Sequence, residues 1–201
     1  MAWKLISAGL LAVVVSAASC KRDGTQAVVE NPAAVAEVKA QLDVLRDSVD
    51  VKWRAMTASD DQKIAVVRLL VRELQQTPGQ DAAQLQGLAA ANARLKARRY
   101  TQQSMAESAA IDRYDAAQDS LLRVLLPVAA PNGGAPTETA RNLVEGIQQL
   151  DAGVVTFRVQ YDIAAKTYNN YLKLHRPALQ SLGGQYANLP LLPLFTLGAE
   201  Q

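Results

Sequence analysis

The sequence holds one histidine and one cysteine in 201 residues. A single cysteine makes no intrachain disulfide and builds no cysteine metal site. A single histidine leaves no ligand set for a histidine-based zinc or di-iron centre, and the paired Glu-x-x-His motifs of ferritin-like bundles are missing. Aromatic residues are only 5% of the chain, too few for the sandwich or barrel folds that draw on aromatic and β-branched side chains. An excess of charge of one sign is lacking as well: 21 basic residues face 19 acidic ones for a net charge of +2. Loss of a leader containing Lys4 lowers that by one. So balanced a charge argues against nucleic acid as the main partner, since phosphate binding needs a concentrated basic field. Nucleophile, base and orienting group cluster nowhere; Ser104 with the sole histidine and a distant aspartate is too generic to be a triad. No enzymatic activity and no cofactor are expected.

About half the residues are apolar, enough for one modest core, and the dominant alanine, leucine, glutamine and valine suit long helices. Between Leu143 and His175 the residues Leu143, Ile147, Leu150, Val154, Phe157, Tyr161, Ala164, Tyr168, Leu172 and His175 recur at gaps of three and four. That spacing keeps them on one stripe of a helix. The stripe carries Tyr161-Asp162 and Tyr168-Asn169, two similar pairs a heptad apart.

The N-terminus has the layout of a secretory signal over residues 1–19. A short positive start is followed by the apolar run Leu5 to Val15 and the small residues Ser16 to Ser19, too short a run to span a bilayer comfortably. Cys20 falls where cleavage would occur, and small residues before a cysteine resemble a bacterial lipobox, with Ala17 where leucine is usual. The competing readings are a plain secretory signal with a coincidental cysteine and an uncleaved anchor helix. In the lipobox reading Cys20 is lipidated and residues 20–32 form a flexible tether. Lys21 after the cysteine resembles outer-membrane sorting in Gram-negative envelopes. The expected location is the cell envelope, facing periplasm or exterior.

Residues 33–176 read as an all-α antiparallel bundle of three to four long helices with coiled-coil-like packing. Val35, Val38, Leu42, Leu45, Val49, Trp53 and Met56 open the first stripe, and Ile64, Val67, Leu70 and Leu74 continue its phase. One helix over 33–76 is therefore expected to cross the polar patch at 57–61, although Ser59 and Gln62 also form a capping-box pattern. After the turn at Pro78-Gly79, Asp81 caps a second helix whose stripe runs from Leu85 to Val124, with Asn92, Arg99 and Gln103 on or beside the seam. Those polar positions predict a less buried middle. Pro127 ends this helix, and Ala129 to Pro136 is the most turn-rich segment. Thr137 caps the last long helix, which Pro177 and Gly183-Gly184 close. Three rods of about 40 residues result. The Pro/Leu-rich tail, 177–201, is expected to lie across the bundle or to dock on a partner or membrane.

Residues 158–171, reading RVQYDIAAKTYNNY, resemble the end of the last long helix in the LemA family of bacterial membrane-associated helical proteins. Arg158, Tyr161, Tyr168 and Asn169 match that family's doubled Tyr-Asn motif, and Asp162 stands in for its first asparagine. Asn142-Leu143 through Leu150 resembles the start of the same helix. Val66 to Val71 falls on the family's Leu-Ile-Pro-Asn-Leu-Val run, with Trp53 at the expected distance before it. The likeness covers most of residues 42–176. Departures are Gln62-Lys63 for an Arg-Arg pair, the 129–136 turn for a Tyr-Pro segment, and a lipobox-type leader for a transmembrane helix. The resemblance implies a helical bundle held at a membrane and brings no catalytic residues.

Single residues divide between bland and sharp roles. Tyr161 and Tyr168 at seam spacing are expected in the core, with Asp162 and Asn169 close enough to bond their hydroxyls across helices. His175 is expected to sit near a helix C-terminus, where it favours the dipole. Glu145, Asp151, Asp112 and Asp115 are expected on solvated faces. Arg94, Lys96, Arg98 and Arg99 form the one dense basic cluster, and Arg94 with Arg98 shares a helix face. These two are candidate contacts for an anionic surface, with plain solubilising charge as the alternative. The favoured role is a membrane-anchored, non-enzymatic scaffold or spacer holding an unidentified protein partner at the envelope. The alternative is a sensor or carrier with a small ligand between its helices, where Ala106, Ala110 and Ala117 would leave room. A closed apolar pocket lined by Tyr114, Tyr161 or Tyr168 would support the carrier, and a dry core the scaffold.

Overall fold

A computed structural model describes residues 31–131 and 137–195. They form five α-helices and no strand: α1 (Pro32–Gln75), α2 (Ala82–Arg98), α3 (Ser108–Ala129), α4 (Glu138–Leu174) and α5 (Arg176–Leu182). The leader, Cys20 and the centre of the 129–136 turn lie outside the described residues.

Asn31 caps α1 by accepting from the Ala33 amide at 3.1 Å, and Pro32 occupies a position whose amide would have no helical partner. The polar patch at 57–61 does not break the helix, so α1 is one rod of 44 residues, roughly 66 Å at 1.5 Å per residue. Val35, Leu42, Val49, Met56, Lys63 and Leu70 are buried at every seventh position. On α4 the same interval buries Ala140, Ile147, Tyr161 and Tyr168, with Val154 half-buried between them. Two seven-residue seams keep facing each other along a helix pair, which is the condition for coiled-coil-like packing. Contacts run in opposite chain order: Tyr171 Oη donates to the Val38 carbonyl, Trp53 packs on Tyr161, Lys63 reaches Asp151, and Thr137 Oγ1 donates to Glu73. The pair is antiparallel. Thr137 also caps α4 by accepting from the Ala140 amide at 3.0 Å, so one side chain ties the start of α4 to the end of α1.

The helices α2 and α3 cover only the second half of α1. Asp81 caps α2 by accepting from the Ala83 and Gln84 amides. From there α2 returns along α1 until Asn92 donates to the Ile64 carbonyl at 3.0 Å and Arg99 to the Thr57 carbonyl at 3.1 Å. The first half of α1 is covered by α5 and the tail instead, where Tyr186 donates to Asp43. Gly183 and Gly184 join α5 to the tail at φ of 68° and 54°, a left-handed backbone that glycine adopts without steric penalty.

Several expectations are corrected. The second rod is two helices, because Arg99 takes an extended backbone (ψ of 136°) and the chain turns before α3 begins at Ser108. Reciprocal bonds stabilise that turn: the Thr101 amide donates to Ser104 Oγ at 2.8 Å and the Ser104 amide to Thr101 Oγ1 at 3.0 Å. Met105 is fully buried there, while Ala106 is exposed and off the seam. The middle of that segment is less buried as expected at Arg99 and Gln103, which are partly exposed and exposed, but not at Asn92, which is only 3% exposed. Pro127 lies inside α3, which ends two residues later at Ala129, so the helix stops within a turn of the proline and not before it. Likewise Pro177 does not end α4, which stops at Leu174; it sits in the first turn of α5. The described bundle thus has two long helices and three shorter ones instead of three equal rods. His175 is at the C-terminal end of α4 as expected, with its ring 4.2 Å from that of Tyr171.

Candidate functional site

The polar patch that interrupts the α1 stripe is where the end of α2, α3 and α4 converge. Asp60 falls on the same seam as Trp53 and Val67, where an apolar residue is the norm. Its carboxylate accepts from Gln118 Nε2 at 2.7 Å, from Arg99 Nη1 at 3.2 Å and from the Tyr114 hydroxyl. Asp61 takes Arg99 at 2.8 Å and Lys96 at 3.0 Å. Burial opposes the charge on Arg99 and on Asp61, yet the mutual bonds win: the guanidinium is held above its ordinary value and the Asp61 carboxyl below its own. The Tyr114 phenol is pushed far up by burial and then by Asp60. The pull of Asp60 and Asp61 on Arg99 explains why α2 stops where it does.

Across the gap, α4 contributes Arg158 and Asp151. Arg158 grips Asp115 of α3 with two nitrogens at 2.7 and 2.8 Å, a fork-to-fork pairing that fixes orientation as well as distance. It also reaches the Tyr100 hydroxyl at 3.4 Å, and its guanidinium lies 5.1 Å from the centre of the Phe195 ring. Lys63, only 4% exposed, extends from the α1 seam to Asp151 at 2.9 Å. Together Lys63, Arg99, Tyr114, Asp115 and Arg158 line an open cleft of about 220 Å³ between α1, α3 and α4. The stretch of α4 that faces it, from Gln148 to Gln160, holds no fully buried residue. The lining is mixed in charge, and most of its cations and carboxylates engage one another. No group of three or more His, Cys, Asp or Glu suited to a metal occurs among the described residues.

The residues singled out by sequence separate into two sets. Tyr161 and Tyr168 are core, 0% and 3% exposed. Trp53 is half-buried and meets Tyr161 and Tyr100 edge to face, at 5.5 and 6.2 Å between centroids. Asp162 and Asn169 do not serve those hydroxyls across helices; they hold the tail. The Asn169 amide donates to the Leu192 carbonyl and accepts from the Leu192 amide, both at 2.8 Å, and Asp162 accepts from the Phe195 amide at 2.8 Å. Tyr161 Oη adds a bond to the Pro193 carbonyl at 3.2 Å, and burial pushes its phenol up to about 12. The basic cluster breaks up as well. Lys96 and Arg99 pair with α1, while Arg94 and Arg98 remain exposed without ion pairs among the described residues. Asp115 and Asp151 are not free solvated acids, since each holds a cation from another helix.

Sequence reasoning missed Lys63, Asp60 and the tail contacts of the Tyr-Asp/Asn pairs. Lys63 was detectable, being seven residues after Met56 in a run of sevenths. No protein-family model matches the chain, nor does any curated protein or solved structure.

Proposed function

We propose that this protein is a non-enzymatic, lipid-anchored helical bundle of the cell envelope, of LemA type, which binds or spaces a partner at the membrane surface. The observation that carries the reading is the length of α1 and its start at Pro32, twelve positions beyond Cys20 in a sequence whose leader has the lipobox layout. An acyl chain on Cys20 would fix one end of a rod at a leaflet and let the rod set the reach. No helix among the described residues is long and apolar enough to cross a membrane, so in this reading the attachment lies in the leader, at Cys20. The LemA assignment is supported by Trp53, Arg158, Tyr161 and Asn169 making core and tail contacts, with Tyr168 buried beside them on α4. The bundle would face the periplasm or the exterior, on the outer membrane where two membranes exist.

Metabolic labelling with a fatty-acid analogue tests the anchor. Wild type takes up label and Cys20→Ala does not; label that persists in the mutant overturns the reading. Crosslinking in native membranes then identifies the partner.

The cleft is the place where a second reading, a small-ligand sensor or carrier, would have its site. It is lined by Tyr114 but is open and charged instead of closed and apolar, so its ligand would be small, polar and of mixed charge. A ligand that raises the melting temperature of wild type but not of Arg158→Met supports this reading. Equal shifts in both count against it.

A further inference from the structure

Asn169 treats Leu192 as a neighbouring β-strand would, giving one bond to its carbonyl and taking one from its amide. Asp162, two turns before it on α4, accepts from the Phe195 amide, and the Tyr161 hydroxyl donates to the Pro193 carbonyl. Four main-chain groups within four residues are therefore read by three side chains of one helix. Such bonds recognise an extended backbone whatever its side chains, and specificity then comes from the pockets between them. Here the pocket is aromatic: the Phe195 ring stands edge to face against Tyr100 and Tyr161, at 5.8 and 5.6 Å, and under the Arg158 guanidinium. Proline at 190 and 193 suits the ligand, since it favours the extended form before binding and lowers the ordering cost.

We propose that this groove on α4 is a peptide-binding site for an extended leucine- and proline-rich segment ending in an aromatic ring, and that its ligand in trans is the tail of a second copy of this chain. Two observations favour a second copy. The tail is joined to the bundle through Gly183-Gly184, whose positive φ angles glycine adopts without steric penalty, and exchange of an identical segment about such a link forms every contact it gives up. The groove also continues into an uncovered apolar ridge. Val155 and Val159 line the trough that ends at Phe195, and they are 68% and 46% exposed, with Ile163 one turn on at 61%. A second copy brought in by its tail would cover that ridge. The groove needs no lipid anchor to work, so the anchor and the exchange fail separately.

The test uses the full chain in detergent. Leu192→Ala/Phe195→Ala weakens the resident tail and leaves the groove intact. A fluorescent peptide of residues 187–196 is expected to bind this variant saturably, and adding Asn169→Ala is expected to weaken binding about tenfold or more, as two lost backbone bonds should. If the double variant loses helical signal, Phe195→Ala alone takes its place. The peptide failing to bind, binding without regard to Asn169, or binding no better than its scrambled sequence overturns the site. A chain with Asn169→Ala and its tail intact should then be captured by a differently tagged chain with Leu192→Ala/Phe195→Ala. If the peptide binds but the chains do not pair, the second-copy assignment is wrong.

Discussion

Lys63 shows at the residue scale how the bundle accommodates a charge on its seam. Its neighbours in the run of sevenths are Met56 and Leu70, both buried. Its ammonium is carried out to Asp151, whose side chain is 48% exposed, so the stem packs as an apolar residue and only the head depends on the acid. Removing the charge of the buried lysine ends a desolvation cost together with the attraction and leaves only a half-exposed acid, whereas removing the acid strands a buried cation. Lys63→Met is therefore expected to leave stability unchanged or raise it by about 1 kcal/mol. Asp151→Ala should lower it by about 1–2 kcal/mol, less than for a fully buried pair because solvent screens the acid's side. Urea unfolding of both variants checks the order; Lys63→Met costing more than Asp151→Ala would show that the lysine acts through charge and not through packing.

Elements were legible in the sequence where apolar periodicity alone sets them. The sevenths of α1 and α4 and the caps at Asp81 and Thr137 were read correctly because each is a local signal. The division of the second rod was not, since its cause lies some 40 residues away in sequence: Arg99 leaves the helix to bind Asp60, Asp61 and the Thr57 carbonyl. Asn169 and Asp162 misled for the same reason, their partners being main-chain groups of a tail with no periodicity of its own. The dependence of α2 and α3 on the patch is testable. Asp60, 13% exposed at its side chain, holds Tyr114, Gln118 and Arg99. Its replacement by alanine is expected to cost about 2–4 kcal/mol, with faster hydrogen exchange in α2 and α3 than in the α1–α4 seam. Uniform exchange across all four would mean that the shorter helices do not open on their own. On α4, Gly153 tests the opposite case. A Cβ there would meet only Phe157 at 3.9 Å, an ordinary contact, so Gly153→Ala should stabilise by about 0.5–1 kcal/mol through helix propensity. A lower urea midpoint would mean that the glycine is needed for something other than space.

At the scale of the whole molecule, five tyrosines carry the fold's response to alkali. Burial comes first in holding the phenols of Tyr100, Tyr114, Tyr161, Tyr168 and Tyr171 above their ordinary value, and Tyr161 reaches about 12. An unfolded tyrosine titrates near 10. Above that pH the unfolded chain has shed protons that the native chain still holds, so stability falls as pH rises. The contribution is fully present below about 10 and is lost as pH climbs through the raised native values. Because Trp53, Tyr100, Tyr114, Tyr161 and Phe195 form one cluster of edge-to-face contacts joining α1, α3, α4 and the tail, ionising any of its three tyrosines strains the whole cluster. Helical signal and phenolate absorbance are therefore expected to change in one step between roughly pH 10 and 12. Tyr168→Phe separates this from general base damage. Tyr168 makes no hydrogen bond through its hydroxyl among the described residues, and burial alone leads its upward shift. Removing that hydroxyl takes away a proton to lose and no bond, so the alkaline midpoint should move up. Phenolate appearing near pH 10 while the helices stay intact would put these rings in solvent and remove the cluster from the account of the fold.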